Sequence, residues 1–463
     1  MAPTSDDLDP FAPRGSGPSA TPVTLADHGD PDGWDDGPAD AYDDGDDDAV
    51  VDERGRKVKP PFGQRLLGFA RRHRILTAVA IIALPFVILI GYSLLTALTK
   101  PGQESLDARM VQWARDNHLG FAINWVEDKY YENNQPPSGG TPDQAIGPAG
   151  NAPSTTAAVA AEPGDDEETT TTKALPPHLT PPTKVPSPAP DPIPNEGEWF
   201  PAGQPVGGLP AVYTTKVRPN AEKTSLLVFL AWIDPKLASI EIFPGSEVPG
   251  GKWSVPNQIP AERCAEAIMA GNGGFRFDQS RGGYWSEGNE KYKLRDGAAT
   301  MVTYKDGTAN VGMWGRDFGP AEFDKMAVVR QNLDLLVDNG QVVPDIENKD
   351  WGALLKNVYF VWRSGWGVTA DGAIVYAGGP ALQPRDLAQR LADAGAVRAM
   401  EGDINPEWVT ANLYSVAPDG SCVGTKGLEG SEDKGGMRQS ADRYLSLDTR
   451  DFVGVFRRQI PNP

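Results

Sequence analysis

Phe360-Val-Trp-Arg-Ser-Gly-Trp-Gly-Val-Thr-Ala-Asp-Gly372 is the stretch whose reading decides the fold. It is an apolar run closed by Asp371-Gly372, a dipeptide that tolerates the positive φ of a tight hairpin turn. Residues 358–369 and 373–377 therefore read as two antiparallel strands. Downstream comes Gln383-Pro-Arg-Asp-Leu-Ala-Gln-Arg-Leu391. Pro384 suits a first helical turn, Leu387 and Leu391 share a face, and Gly395 is a good stop, so residues 384–394 read as a helix. Residues 397–400 return as a strand that runs into Glu401-Gly-Asp-Ile-Asn-Pro-Glu-Trp408.

The same signals recur upstream. Residues 226–233 and 238–243 read as strands. Residues 301–304 and 309–314 flank the turn Lys305-Asp-Gly307, and Asn339-Gly340 marks a further hairpin. Hairpins with a few helices give an α+β domain over residues 199–463, with a mixed, largely antiparallel sheet and flanking helices.

What precedes the domain has a different character. The chain has 463 residues and a formal charge of -20. Residues 1–60 carry Asp43-Asp-Gly-Asp-Asp-Asp48 and almost no large apolar residues, so they read as a disordered acidic tail. Residues 61–74 are basic. Residues 75–98 form an uncharged apolar run long enough for a transmembrane helix. Arg65, Arg71, Arg72 and Arg74 precede it and only Lys100 closely follows. A cytoplasmic N-terminus and an extracellular C-terminal domain are therefore expected, in a single-pass type II arrangement at the cell membrane. Residues 104–131 read as an amphipathic juxtamembrane helix or two short ones. Residues 133–198 are rich in Pro and Thr and read as a linker, a stalk that could reach more than about 100 Å when extended.

Residue types narrow the chemistry. The four histidines are His28, His73, His118 and His178, all outside residues 199–463. A Ser-His-Asp or Cys-His nucleophile system in that domain lacks its base. The two cysteines, Cys264 and Cys422, do not make a zinc site; a disulfide and two buried thiols are both open to them. No phosphate-binding or dinucleotide-binding glycine loop is present. Acid–base work would fall to carboxylates, with Arg, Asn and backbone amides as electrostatic partners.

Glu401 and Asp403 are two apart, so an extended segment would point both to one face. With Asn405 and Glu407 they could act as general acid and base, bind a sugar, or hold a hard divalent cation such as Ca²⁺. Asn272-Gly273-Gly274 reads as a turn with positive φ where a ligand approaches the backbone. Arg363 could clamp a phosphate through its fork of donors or form a structural ion pair. By strand alternation it faces away from Trp362 and Trp366.

Taken together, Asn272-Gly-Gly-Phe275, the Arg363 strand with Gly365, Gly367 and Asp371-Gly372, the helix Asp386–Leu391 with Gly395-Ala396, and the acidic strand end resemble the phosphodiester glycosidase family. The family's last motif is of the type Asn-Leu-Asp-Gly-Gly-Gly-Ser. Asp403 falls on its Asp and Glu401 on its Asn, while Ile404 and Pro406 replace glycines. The resemblance implies an extracytoplasmic hydrolase of sugar-1-phosphodiesters or related cell-envelope glycan linkages. In that reading Asp403 and Glu401 are catalytic, and Asn272, Gly273, Gly274, Arg363 and Asn405 bind substrate. The alternative is a non-catalytic glycan-binding or envelope scaffold protein on the same fold. Expected partners are an envelope glycan or glycosyl phosphodiester, and membrane lipid around residues 75–98. No nucleic-acid partner is expected.

Overall fold

The structure, a computed structural model, describes residues 50–51, 55, 57–58, 62–148, 175–352 and 356–459. The chain divides into two units at Pro85. Most of the acidic tail expected over residues 1–60 lies outside the described residues. In the first unit Val50–Val51 pairs antiparallel with Lys57–Val58, followed by helix α1 (Phe62–Arg72). Helix α2 (Arg74–Leu98) crosses the division. It is long and apolar enough to cross a membrane, and none of its residues is buried.

The second unit opens with α3 (Leu106–Asp116) and α4 (Gly120–Asn133). Ser105 caps α3, accepting from Ala108 N. The 104–131 segment is thus two helices, and both join the domain. Asp116 of α3 pairs with Arg276, and Asp128 of α4 with Lys356 and Tyr359.

The linker expected over residues 133–198 is corrected along its described parts. Val185 is fully buried; its N–H donates to Gly197 O, and Gly197 N–H donates to Lys216 O. Leu179 N–H donates to Asp234 Oδ2 at 2.7 Å. Ahead of it, Gly139 N–H donates to Glu222 O. Proline-rich chain needs few partners for its backbone, so it can lie along a sheet edge while Leu179, Val185 and Ala189 fill the core beneath. Only residues 149–174 of that stretch fall outside the described residues.

Three main sheets form the domain, and every strand pairing in them is antiparallel. The largest has eight strands. At its centre Ala396–Glu401, Val361–Thr369, Ile374–Leu382 and Val228–Ile233 lie side by side. The Asp371-Gly372, Lys305–Gly307 and Asn339-Gly340 hairpins all form. Asn339 (φ 50°) and Gly340 (φ 73°) take the left-handed conformation that such a turn requires.

Helix α5 (Phe277–Ser280) is one turn. Helix α6 (Pro384–Asp393) starts with a reciprocal cap between Gln383 and Asp386, and Gly395 (φ 96°) follows its end. Leu387, Ala388 and Leu391 bury against one face of the eight-stranded sheet. The other face packs on a five-stranded sheet that includes Ala267–Asn272, Ala411–Val416 and Phe452–Arg457. A bridge between Cys264 and Cys422, with Cα atoms 5.4 Å apart, ties the rim of that second sheet. Closing a loop of 158 residues contributes on the order of 4–5 kcal/mol in the chain-entropy picture.

Candidate functional site

The acidic strand continues two residues beyond Glu401. Gly402 N–H donates to Ser364 O at 2.7 Å, Ser364 N–H donates to Asp403 O at 2.9 Å, and Asp403 N–H donates to Ser364 Oγ at 3.0 Å. Asn332 Nδ2 donates to Glu401 O and Gly402 O on the other side. A Cβ on residue 402 would stand 2.5 Å from Ser364 Oγ, so only glycine fits between the two motifs. This grip fixes Asp403 at the end of the sheet.

Asp403 is 4% exposed and lies at the floor of a cleft of about 1130 Å³. Its Oδ1 accepts from Ile404 N–H at 2.8 Å, and its Oδ2 accepts from Arg450 Nη2 at 3.0 Å. Burial pushes the Asp403 carboxyl above its ordinary value, against the pull of the Arg450 guanidinium. Arg450 also donates to Gly274 O at 3.1 Å, and its guanidinium lies 4.5 Å from the Trp408 ring centre. Its Nε is buried without a hydrogen-bond partner. Above this floor Phe275, Trp362, Tyr131 and Trp408 supply aromatic walls. Helices α3 and α4 form one side.

Asn405 lines the cleft, and its Oδ1 accepts from Glu407 N–H in a local turn. Glu407 lines it too. Its carboxylate is held by Ser105 N–H at 2.7 Å, Ser105 Oγ at 2.9 Å and Arg438 Nη1 at 3.3 Å.

Asn272, Gly273 and Gly274 border a small void beside Asp403, Arg450 and Trp408. The glycines do not have positive φ, contrary to expectation. They are required by close approach instead. A Cβ on residue 273 would stand 2.5 Å from Asp451 Oδ2, and one on residue 274 would stand 2.8 Å from Arg330 Cζ. Arg330 in turn donates to Asp451 Oδ2 at 2.8 Å and to Phe275 O. The Asn272 side chain donates to Ser364 Oγ and Gly273 O and accepts from Tyr376 OH and Thr410 N–H. Every one of its polar sites is engaged within the protein. Asn272 therefore holds the turn in place and has no free group for a substrate.

Two expected site residues are not at the cleft. Arg363 and Glu401 are both 0% exposed and pair with each other at 2.5 Å. Arg363 also donates to Leu382 O and Trp351 O. The cause is strand alternation. A Cβ at Gly365, two residues on, would meet Leu387 and Leu391 of α6, so Arg363 shares the face covered by that helix. Gly365 pairs with Glu401, which places the glutamate on the same covered face. Trp362 and Trp366 belong to the opposite core, as alternation predicts. The phosphate-clamp assignment of Arg363 is thus corrected to a structural ion pair. Burial pushes Glu401 up to about 7 despite Arg363, and its Oε2 has no hydrogen-bond partner.

Sequence reasoning overlooked Arg450, Arg330 and Asp451. A signal was available, because Asp448, Arg450 and Asp451 directly precede the apolar run of the last strand. Ionisable residues at that spot cap a core strand and must be paired or functional. Among the described residues no three His, Cys, Asp or Glu side chains gather as a possible metal cage. His118 and His178 belong to the second unit, but both are exposed and neither lines the cleft.

No protein-family model matches this chain, and no curated protein does. Among solved structures it is similar to the catalytic domain of zebrafish N-acetylglucosamine-1-phosphodiester alpha-N-acetylglucosaminidase. That likeness has a TM-score of 0.34 and 14% identity, and covers 56% of this chain and 87% of that one. A hypothetical protein from Synechocystis gives a TM-score of 0.30 at 13% identity, over 57% of this chain and 65% of that one. Likenesses of this degree are weak and assign no family, so function rests on the site.

Proposed function

We propose that this protein is an extracytoplasmic hydrolase of glycosyl phosphodiesters or related cell-envelope glycan linkages, acting through Asp403 and Arg450. The observation that carries this reading is their ion pair on the floor of an aromatic-walled cleft. Sugars are held by such walls, and anionic leaving groups by a guanidinium fork. Asp403, as the carboxylate, takes a proton from water. The water oxygen bonds to the anomeric carbon, the glycosidic C–O bond breaks, and its electron pair leaves on the phosphate oxygen. Arg450 neutralises the charge gathering there. The raised proton affinity of Asp403 makes it a stronger base than an exposed aspartate. Arg363 and Glu401 support the sheet beneath and take no part.

The arginines before α2 support a cytoplasmic N-terminus, with the cleft on the other side of the membrane. A second reading, glycan binding without turnover, is favoured by one observation. Ile404 fills the wall where a glycine would leave room, packing with Phe275, Tyr359 and Val361. The test is turnover of a panel of sugar-1-phosphodiesters by the full chain in nanodiscs. The N-acetylglucosamine compound named for the zebrafish protein is a sensible first member. Turnover lost in Asp403→Asn supports the hydrolase. Saturable binding without turnover selects the second reading.

A further inference from the structure

A second cavity, of about 430 Å³, lies beside the cleft. Tyr92, Ser93, Thr96 and Ala97, on the last turns of α2, form one wall. Helix α3 forms another through Ala108 and Gln112, which also line the cleft. At its inner end stand Trp408 and Arg450, again shared with the cleft. Arg450 thus lies between the acid at the cleft floor and the end of an apolar helix.

This second cavity is built from fixed parts. Trp113 Nε1 donates to Ser93 Oγ at 3.1 Å, which joins α3 to α2. Arg109 donates to Leu98 O at 3.0 Å, to Gly102 O at 2.7 Å, to Glu104 O at 3.1 Å and also to Lys100 O, which clamps the chain as it leaves α2. Lys100 pairs with Glu247 at 2.8 Å. Of the nearby carboxylates, Glu247 pairs with Lys100 and Asp116 with Arg276, while Glu104 lies 3.7 Å from Arg109 and its buried Oε1 has no hydrogen-bond partner. The Arg450 side chain is 10% exposed, and its buried Nε has no partner.

We infer that the substrate is lipid-linked. A glycosyl phosphodiester would place its sugar in the cleft and its phosphate at Arg450. Its hydrocarbon chain would run past Trp408 along the Tyr92–Ala97 face of α2 into the bilayer. The identity of the headgroup rests on the hydrolase reading; the path for the chain rests on the second cavity. Hydrolysis would release a free sugar and leave the phosphomonoester in the membrane. The reaction class that supplies such a substrate is glycosyl transfer onto a lipid phosphate.

The test uses the full chain in nanodiscs. The probe is a prenyl phosphohexose with a photoactivatable diazirine on its prenyl chain, and a water-soluble methyl phosphohexose serves as the comparison. Crosslinks are expected within residues 92–113. Filling the groove with Thr96→Trp should cut labelling about tenfold, and the milder Ala97→Leu should cut it by less. Cleavage should favour the prenyl compound, and Thr96→Trp should lower that preference. Labelling that neither variant changes, or cleavage of both compounds at one rate without labelling, overturns the lipid-linked substrate while the hydrolase stands. Labelling at the expected residues with no cleavage of either compound supports the lipid path and overturns the hydrolase.

Discussion

Two arginine–carboxylate pairs lie at the end of the same strand and have opposite fates. Glu401 pairs with Arg363 and Asp403 with Arg450; both carboxyls are buried, and burial raises the proton affinity of each. The first pair is sealed beneath α6. The second opens on a cleft of about 1130 Å³. Residue type does not separate them, and neither does burial. What separates them is the end of the sheet, where Gly402 and Ser364 grip the chain and Asp403 passes from under the helix layer to the cleft floor. A buried charge pair is weak evidence of function unless a cavity reaches it.

The comparison is broken most directly at Asp403. Asp403→Asn keeps the shape and removes the base, so turnover per folded molecule should fall by about 10²- to 10⁴-fold, with a loss of thermal stability smaller than at the sealed pair. The amide can accept from only one of Ile404 N–H and Arg450 Nη2, but Arg450 opens on the cleft. Rates and melting temperatures measured on one preparation check this. The opposite pattern is expected at the sealed pair. Glu401→Ala leaves Arg363 buried and unpaired, which should destabilise the fold by about 3–5 kcal/mol. Denaturant titration reads that loss, and the rate per folded molecule should change far less than in Asp403→Asn. Arg450→Lys keeps the charge but loses the planar fork between Asp403, Gly274 O and Trp408. It should lower kcat/KM by about 10- to 100-fold, as steady-state kinetics will show.

The smallest effect sharpens the contrast through pH. Folding raises Glu401 from an ordinary 4.5 to about 7. Between those values the folded state binds more protons than the unfolded one, so stability must fall as pH rises. Glu401's contribution is complete below pH 4.5 and is lost as pH passes about 7. Glu401→Gln removes this titration and should flatten that part of the stability profile, measured by denaturant unfolding at several pH values. A profile unchanged by the substitution would mean that Glu401 stays ionised against Arg363 throughout.

Much of the fold was legible because its signals are local. Asp371-Gly372 and Asn339-Gly340 dictate their own turns, and Pro384, Leu387, Leu391 and Gly395 mark a helix without help from elsewhere. Alternation correctly set Arg363 against its flanking tryptophans. It could not show what covers that face, because α6 is brought there by the tertiary fold. The Asp403–Arg450 pair joins residues 47 apart in sequence and depends on two sheets meeting. Residues 175–198 differ from a free stalk for a similar reason. A Pro- and Thr-rich composition is the same whether the chain is free or laid on a sheet, and only the finished core shows that Val185 has a place to go.

The most direct measurement is turnover of sugar-1-phosphodiesters by the full chain, with Asp403→Asn and Glu401→Gln run in parallel under conditions where all three are folded. Activity in the wild type and in Glu401→Gln, with loss in Asp403→Asn, is the expected result. Loss in Glu401→Gln with activity kept in Asp403→Asn would contradict it, and would place the chemistry at the sealed pair instead of the open one.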